Sequence, residues 1–136
     1  MTSVKVDKHK NLTILSKEGS NRAGKLETFD RPKNVTIVRL VCDEVSSLCE
    51  VTHQPDLSVV HIEYHADKVC LESKSLKMYL WRLRDQTIFC EGLASKMVDD
   101  LYEAVEPFYI RVTVEQKSRG GIAIVATAHR SRSAQP

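Results

Sequence analysis

The order of apolar, β-branched and polar residues along the chain predicts four β-strands. In residues 57–66, Val60, Ile62 and Tyr64 share one face, while mostly polar residues occupy the other. An apolar row on only one face is typical of an antiparallel sheet that is covered on one side. The other predicted strands are residues 34–42, 108–116 and 121–128.

The period of the pattern changes from two to about 3.6 in the middle of the chain, which predicts two helices. Leu76, Leu80 and Leu83 recur at helical spacing in residues 71–86. A second apolar stripe runs through residues 90–106 and ends just before a proline. The order is therefore ββααββ, and we expect an α+β domain with both helices on one face of an antiparallel sheet.

This layout predicts that the chain works as part of an assembly. An open sheet of four strands leaves two edge strands with unpaired backbone groups, which invite pairing with neighbouring subunits. We therefore expect a homo-oligomer whose functional sites lie at subunit borders.

The chain of 136 residues has the length of one domain. Residues 1–25 combine charged residues and glycines with scattered apolar residues, so we expect a flexible arm with a short strand at residues 11–15. The folded domain is expected at residues 26–128, followed by a flexible tail at residues 129–136.

The charge balance and the cysteine content argue against several kinds of binding site. The 20 Lys and Arg residues are nearly balanced by 18 Asp and Glu residues, so nucleic-acid binding is not expected. The four cysteines include no Cys-x-x-Cys pair with nearby histidines, which argues against a metal site. Because no apolar run resembles a signal peptide or a membrane span, we expect a cytoplasmic protein with free thiols and no membrane partner.

The connection between the first two predicted strands carries the strongest candidate for chemistry. Cys49 and Asp56 stand at the two ends of a short segment that contains a proline. A loop cysteine beside a carboxylate can act as a nucleophile with its proton carrier. The same two residues also suit a small buried side chain and a turn-forming aspartate. Both interpretations stay open on these residues alone.

Three further segments suit the binding of anions or of a heterocycle. Residues 72–77 open the first helix with two lysines, an arrangement that holds a phosphate or merely caps the helix. The turn after Arg119 adds a guanidinium to a Gly-Gly pair, although hairpins also use Gly-Gly for conformational reasons. Glu91, in the first turn of the second helix, either complements the helix dipole or accepts hydrogen bonds from an amidine-like edge.

Taken together, these segments resemble the NADPH-dependent 7-cyano-7-deazaguanine reductases, the nitrile reductases of queuosine biosynthesis, in their short single-domain form. The most specific segment is the hexapeptide Glu-Ser-Lys-Ser-Leu-Lys at residues 72–77. The resemblance extends over roughly residues 26–126 and implies the tunnelling fold, whose ββααββ subunits assemble into rings. The segments that carry it are residues 26–29, 47–56, 62–64, 72–79, 89–91 and 119–122.

The resemblance also implies a reaction and a role for individual residues. Cys49 would add to the nitrile carbon of 7-cyano-7-deazaguanine to form a thioimide, and Asp56 would deliver a proton to the nitrile nitrogen. Two NADPH molecules would then reduce the thioimide to the primary amine. The implied substrate-binding residues are Leu71, Glu72, Ser73, Cys90 and Glu91, and the implied cofactor-binding residues are Lys74, Lys77, Arg119 and Gly120.

The chain departs from the family pattern at three places. The family usually has His where this chain has Cys90, Gly where it has His53 and Pro where it has Glu50. An imidazole can hydrogen-bond a substrate and move protons, whereas a thiol is a weak donor. One interpretation is a reductase with a reduced rate or an altered substrate, and another is that His53 or His61 supplies the missing imidazole. Cys90 is then either a plain small residue or the partner of Cys49 in a reversible, protective disulfide.

Two other functions stay open beside the reductase. The first is a thioimide-forming amidine synthase of the archaeosine type, which acts on deazaguanine in tRNA. The second is a non-catalytic tunnelling-fold protein that binds a purine or pterin. The residues at 72–77 favour the reductase, because a non-reducing enzyme needs no cofactor-binding segment.

Overall fold

The computed structural model describes residues 25–133, which form eight elements. Apart from residue 25, the predicted arm and its short strand at residues 11–15 lie outside the described residues. The elements are β1 (Thr28–Asp30), β2 (Ile37–Leu48), β3 (Pro55–His65), β4 (Val69–Leu71), α1 (Ser73–Leu83), α2 (Cys90–Val105), β5 (Tyr109–Arg119) and β6 (Ile122–Ser131).

The predicted ββααββ order is confirmed, with two short strands in addition. Strands β2, β3, β5 and β6 form an antiparallel sheet in that spatial order. Strands β1 and β4 form a separate antiparallel ribbon. Strands of three residues are too short to show an alternation, so the apolar pattern does not reveal them.

Both helices pack on one face of the four-stranded sheet and share a single core with it. The inward row of β3 is Val60, Ile62 and Tyr64, as predicted, and each of these residues is at most 1% exposed. Met97 and Leu101 of α2 are fully buried in the same core. The expected α+β class is therefore confirmed. Within residues 25–133, neither helix is long and apolar enough to cross a membrane.

All four strands of the large sheet extend beyond a predicted end, and the extensions of β2, β3 and β5 position the candidate site. Strand β2 continues through a β-bulge to Leu48, and β3 begins at Pro55. The connection between them therefore consists of residues 49–54 only. Strand β5 runs to Arg119, so the turn predicted at residues 117–121 is shorter than expected. Polar residues such as Ser47 and Asp56 interrupt the apolar pattern at these strand ends, although backbone pairing continues through them.

The flexible tail predicted at residues 129–136 is wrong in its first three residues. Strand β6 continues to Ser131, which pairs with Tyr109. Arg130 also forms an ion pair with Asp99 at 2.9 Å. Backbone pairing and charge contacts therefore order this segment, and neither of them is visible in an apolar pattern.

The connection at residues 49–54 closes as a single helical turn. The His53 N–H donates to the Cys49 carbonyl at 2.9 Å, and the Cys49 N–H donates to the Gln54 carbonyl at 2.9 Å. His53 has a φ of 60°, a left-handed conformation that costs a non-glycine residue roughly 1–2 kcal/mol. The position at which the family usually has Gly is thus one where the backbone adopts a conformation that glycine tolerates best.

Replacing His53 by glycine is expected to stabilise the fold. His53→Gly removes the steric cost of the left-handed backbone but adds freedom to the unfolded chain, so we expect a net gain of about 0.5–1 kcal/mol in the free energy of unfolding. Urea denaturation followed by circular dichroism measures this quantity. The control is Glu50→Gly in the same turn, where φ is not positive and glycine should cost about 0.5–1 kcal/mol. Changes of the same sign in both variants would contradict the assignment of strain to His53.

Candidate active site

The inward rows of three strands end in polar residues that meet at one corner of the core. Ser47 of β2 is paired with Asp56 of β3, and Ser58 of β3 is paired with Gln116 of β5. All four side chains are buried. Because side chains alternate along a strand, Cys49 continues the row of Ser47, and it is 7% exposed. We call these five residues the polar corner.

The start of α2 is tied to the same corner by backbone hydrogen bonds. The Leu48 N–H donates to the Gln86 carbonyl at 2.8 Å, and the Ile88 N–H donates to the Leu48 carbonyl at 3.2 Å. These bonds hold the segment before α2 alongside the end of β2, next to Cys49. Phe89, at the N-cap of α2, provides no side-chain hydrogen bond. The acidic side chain at this helix start is Glu91, in the first turn, which complements the partial positive charge of the helix dipole.

The surroundings of Cys49 favour its thiolate form. The Thr52 hydroxyl lowers the pKa of this thiol most, followed by the backbone N–H groups of Thr52 and Val51. Burial opposes the shift and the Arg119 guanidinium adds to it, so the pKa falls from 9.0 to about 7. Roughly half of the thiol is then ionised at neutral pH, and the thiolate is the nucleophilic form.

Asp56 is paired with a guanidinium that also reaches the thiol. Its Oδ1 lies 2.7 Å from Nη1 of Arg119, and Nη2 of the same guanidinium lies 3.9 Å from Sγ of Cys49. Asp56 is 5% exposed, and its Oδ1 has no aligned hydrogen bond within the described part of the chain. One cation therefore lies between the candidate nucleophile and the candidate proton carrier, and the carboxylate can still take another partner.

The hairpin between β5 and β6 delivers this guanidinium. Its two-residue turn is Gly120-Gly121, with φ values of 59° and 79°, which fits a turn that needs positive φ at both central positions. A register shift between Gln116 and Arg119 precedes the turn. Arg119 thus belongs to a strand end anchored by a tight turn, and its side chain is placed against Asp56.

Cys90 lies at the first position of α2 and is 5% exposed. Its Sγ is 3.6 Å from the Val114 carbonyl. Burial raises the pKa of this thiol, and the negative charges of Glu91 and Asp56 raise it further. Cys90 is therefore a protonated thiol that donates to the backbone of β5. The four cysteines are all free thiols within the described residues, and a reversible bond between Cys49 and Cys90 stays a hypothesis.

Glu72 caps helix α1. Its carboxylate accepts hydrogen bonds from the backbone N–H groups of Lys74 at 2.8 Å and Ser75 at 2.7 Å. The capping interpretation of this segment is confirmed. Contact of Glu72 with a substrate stays a prediction, since each carboxylate oxygen can accept a second hydrogen bond. The Leu71 N–H already donates to the Tyr64 hydroxyl at 2.8 Å.

The two lysines predicted for the cofactor lie on the exposed surface of α1. Lys74, Lys77 and Ser73 are all exposed. Ser73 and Lys77 line a groove of about 570 Å³ between α1 and β2. Between described residues, no hydrogen bond or ion pair links the start of α1 to the polar corner. The chain thus brings Cys49, Asp56 and Arg119 together and leaves the predicted phosphate-binding lysines in a separate group.

The open face of the sheet carries a second groove, of about 320 Å³, which includes His61 and Glu115. Nε2 of His61 lies 3.2 Å from Oε2 of Glu115. Cys49 belongs to the covered face and lines neither groove. Within this chain, His61 therefore does not supply an imidazole to the candidate nucleophile. His53 is an exposed residue of the turn that follows Cys49.

Sequence reasoning missed four residues of the site. Thr52 makes the largest contribution to the lowered pKa of Cys49, and Ser47, Ser58 and Gln116 complete the polar corner. A signal for the last three was present, because a strand whose inward row changes from apolar to polar residues marks the end of a core. The role of Thr52 depends on the geometry of the turn, which the pattern of apolar and polar residues does not reveal.

Comparison with known proteins relates the chain to one family. The family model described as "QueF-like protein" matches residues 55–135. The NADPH-dependent 7-cyano-7-deazaguanine reductase of Alkalilimnicola ehrlichii is 43% identical over 108 residues, which cover 77% of this chain and 84% of that protein. The enzyme of the same name from Nitrosomonas europaea is 40% identical over 114 residues, which cover 82% of each chain.

A solved structure gives the same relationship in three dimensions. The archaeosine synthase QueF-Like, in its apo form, superposes with a TM-score of 0.68 at 26% sequence identity. The match covers 76% of this chain and 100% of that one. The fold implied by the sequence resemblance is therefore confirmed for the subunit. With a family model that spans residues 55–135 and relatives at about 40% identity, the chain belongs to the QueF-like family.

Proposed function

We propose that this protein reduces the nitrile of 7-cyano-7-deazaguanine to the aminomethyl base with NADPH, in queuosine modification of tRNA. The observation that carries the proposal is an activated thiol and a buried carboxylate that share one guanidinium, namely Cys49, Asp56 and Arg119. The relatives named NADPH-dependent 7-cyano-7-deazaguanine reductase support the substrate and the cofactor.

The first step takes place at the polar corner. The Cys49 thiolate bonds to the nitrile carbon, one π bond of the nitrile opens, and the nitrogen takes up a proton from Asp56. The product is a thioimide, whose trigonal C=N accepts hydride more readily than a nitrile does. The proton balance closes if Asp56 first accepts the proton that the thiol loses. Its Oδ1 is paired with Arg119 but makes no aligned hydrogen bond among the described residues, so the carboxylate keeps a lone pair that can accept the proton.

The deazaguanine ring needs acceptors for its N–H edge. Glu72 and Glu91 are the carboxylates that we assign to this task, together with the backbone of Leu71 and Ser73 and the side chain of Cys90. Glu72 is half-buried and Glu91 is exposed in the chain, so the bound base would have to cover them. A carboxylate that is covered but left without its donor costs free energy, so such a site rejects analogues that lack these N–H groups.

The exposed ammonium groups of Lys74 and Lys77 on α1 fit the phosphates of NADPH in charge and accessibility. They act as side-chain cations, because Glu72 already occupies the N–H groups of Lys74 and Ser75. A side chain at Gly120 would meet nothing within 4 Å, so the hairpin tip leaves space for a ligand. NADPH, when bound, supplies the hydride for each of the two reduction steps.

A homo-oligomeric ring with shared active sites follows from the separation of these groups. Cys49 lines neither of the two grooves described above, and the start of α1 lies apart from it. Strands β2 and β6 form the two edges of the sheet, and each can pair with a neighbouring copy. We assign the enzyme to the cytoplasm, where the reducing environment keeps Cys49 as a thiol.

A second candidate is an amidine synthase of the archaeosine type. The likeness to the archaeosine synthase structure and Cys90 in place of the family's usual histidine favour it. Consumption of NADPH on addition of 7-cyano-7-deazaguanine supports the reductase. An adduct that forms without any NADPH consumption and reacts with ammonia supports the synthase. Absence of an adduct would instead support a non-catalytic purine- or pterin-binding protein.

Substitutions of Cys49 and of Asp56 should have different effects on adduct formation and on turnover. Cys49→Ala removes the nucleophile, so we expect neither a mass increase with 7-cyano-7-deazaguanine nor NADPH oxidation. Asp56→Asn keeps the shape but cannot carry the proton, so we expect substrate binding with turnover reduced roughly 100-fold or more. Intact-protein mass spectrometry and NADPH absorbance measure these effects. Cys42→Ala, a half-buried thiol elsewhere on β2, is the control. Normal turnover in Cys49→Ala would exclude the covalent mechanism.

Removing an ammonium group from α1 should affect the cofactor alone. We expect Lys74→Ala to raise the KM for NADPH about tenfold, the loss expected for one charge-assisted hydrogen bond. Adduct formation without NADPH should stay at the wild-type rate. The control is Lys68→Ala, an exposed lysine before β4, for which the KM should not change. An unchanged KM in Lys74→Ala would refute this cofactor assignment.

A further inference from the structure

The guanidinium of Arg119 contacts both reacting groups of the polar corner within one chain. It lies 2.7 Å from the Asp56 carboxylate and 3.9 Å from the Cys49 sulfur. The side chain of Arg119 is 47% exposed, whereas that of Asp56 is 7% exposed. The cation therefore enters the corner from the solvent side and covers the carboxylate.

We propose that Arg119 is a positioning residue for thioimide formation, in which it holds the Cys49 thiolate and the Asp56 carboxylate side by side before any cofactor binds. This inference rests on the proposed nitrile reduction for its chemistry. It goes beyond the cofactor role implied by the family resemblance, because the contacts join Arg119 to residues that act before hydride transfer.

The need for a cation follows from the charges around the sulfur. A thiolate and a carboxylate at close range repel each other, and each would favour protonation of the other. Within residues 25–133, the neighbouring elements add acidic residues and no further Lys or Arg beside the sulfur: Glu91 lies in the first turn of α2 and Glu50 in the turn after Cys49, and both are exposed. The turn also contributes His53. Among the described residues that contact Cys49 or Asp56, Arg119 is the one with a permanent positive charge. Its planar guanidinium can face two acceptors at once.

The step itself requires no other charged group. The thiol proton passes to Asp56, the sulfur lone pair forms the S–C bond, one C≡N π bond breaks, and the proton of Asp56 moves to the nitrogen. Nothing is oxidised or reduced. At the start of the step, Arg119 holds the Asp56 carboxylate near the sulfur. Its positive charge also favours the thiolate form of Cys49 at neutral pH. When the carboxyl takes the proton, the guanidinium still faces the sulfur.

The test is adduct formation in the absence of NADPH, which removes any effect on cofactor binding. For Arg119→Met we expect the rate of mass increase with 7-cyano-7-deazaguanine to fall at least about tenfold. The pH profile of iodoacetamide alkylation at Cys49, followed by peptide mass spectrometry, should also move its midpoint upward from about 7. Arg119→Lys should give an intermediate rate, because an ammonium keeps the charge but not the two-pronged geometry.

Lys117→Met, an exposed cation two residues earlier on the same strand, is the matched control and should match the wild type in both measurements. If Arg119→Met forms the adduct at the wild-type rate and changes only the KM for NADPH, the positioning role is wrong. If the wild type forms no adduct, the proposed function fails, and the alkylation profile alone then decides the role of Arg119. An alkylation midpoint that is the same in Arg119→Met and in the wild type would overturn the positioning role of Arg119.

Discussion

A sheet covered on one face sends every second side chain of its strands into the same buried layer, and the architecture of this subunit depends on that constraint. In β3 the row runs from Tyr64 through Ile62 and Val60 into Ser58 and Asp56. The first three residues build the core against the helices. The same alternation, continued past the apolar part, buries a carboxylate at the end of the sheet. Core and candidate site are therefore two sections of one row.

Asp56 can occupy such a position only with a compensating partner, because a buried, unpaired charge is costly. The partner comes from a hairpin that is distant in sequence, and the tight Gly120-Gly121 turn sets where Arg119 leaves the strand. The helical turn after Cys49 lowers the pKa of the thiol through the Thr52 hydroxyl first, and then through the N–H groups of Thr52 and Val51. A local turn and a long-range ion pair thus act on the same two reacting groups.

The sequence predicts the parts of this arrangement that depend on periodicity. The inward row of Val60, Ile62 and Tyr64, the two helices and the one-sided sheet follow from spacing alone, and the structure confirms them. Strand ends do not follow from spacing, because backbone pairing continues through polar residues such as those after Gln116. Contacts that join separate segments are also hidden, since nothing in the local sequence indicates that Arg119 reaches Asp56.

The departures from the family pattern have different physical consequences. His53 keeps the left-handed backbone of the turn without the residue that adopts it most readily, so the geometry around Cys49 survives at a cost in stability. Cys90 changes chemistry instead, because its thiol donates to a backbone carbonyl of β5 and its raised pKa keeps it neutral. A neutral thiol at the start of α2 adds no positive charge near Asp56, whereas a protonated imidazole would. The charge of the Asp56 carboxylate is therefore balanced through Arg119, the cation paired with it, while the Cys49 thiolate depends chiefly on the turn at Thr52.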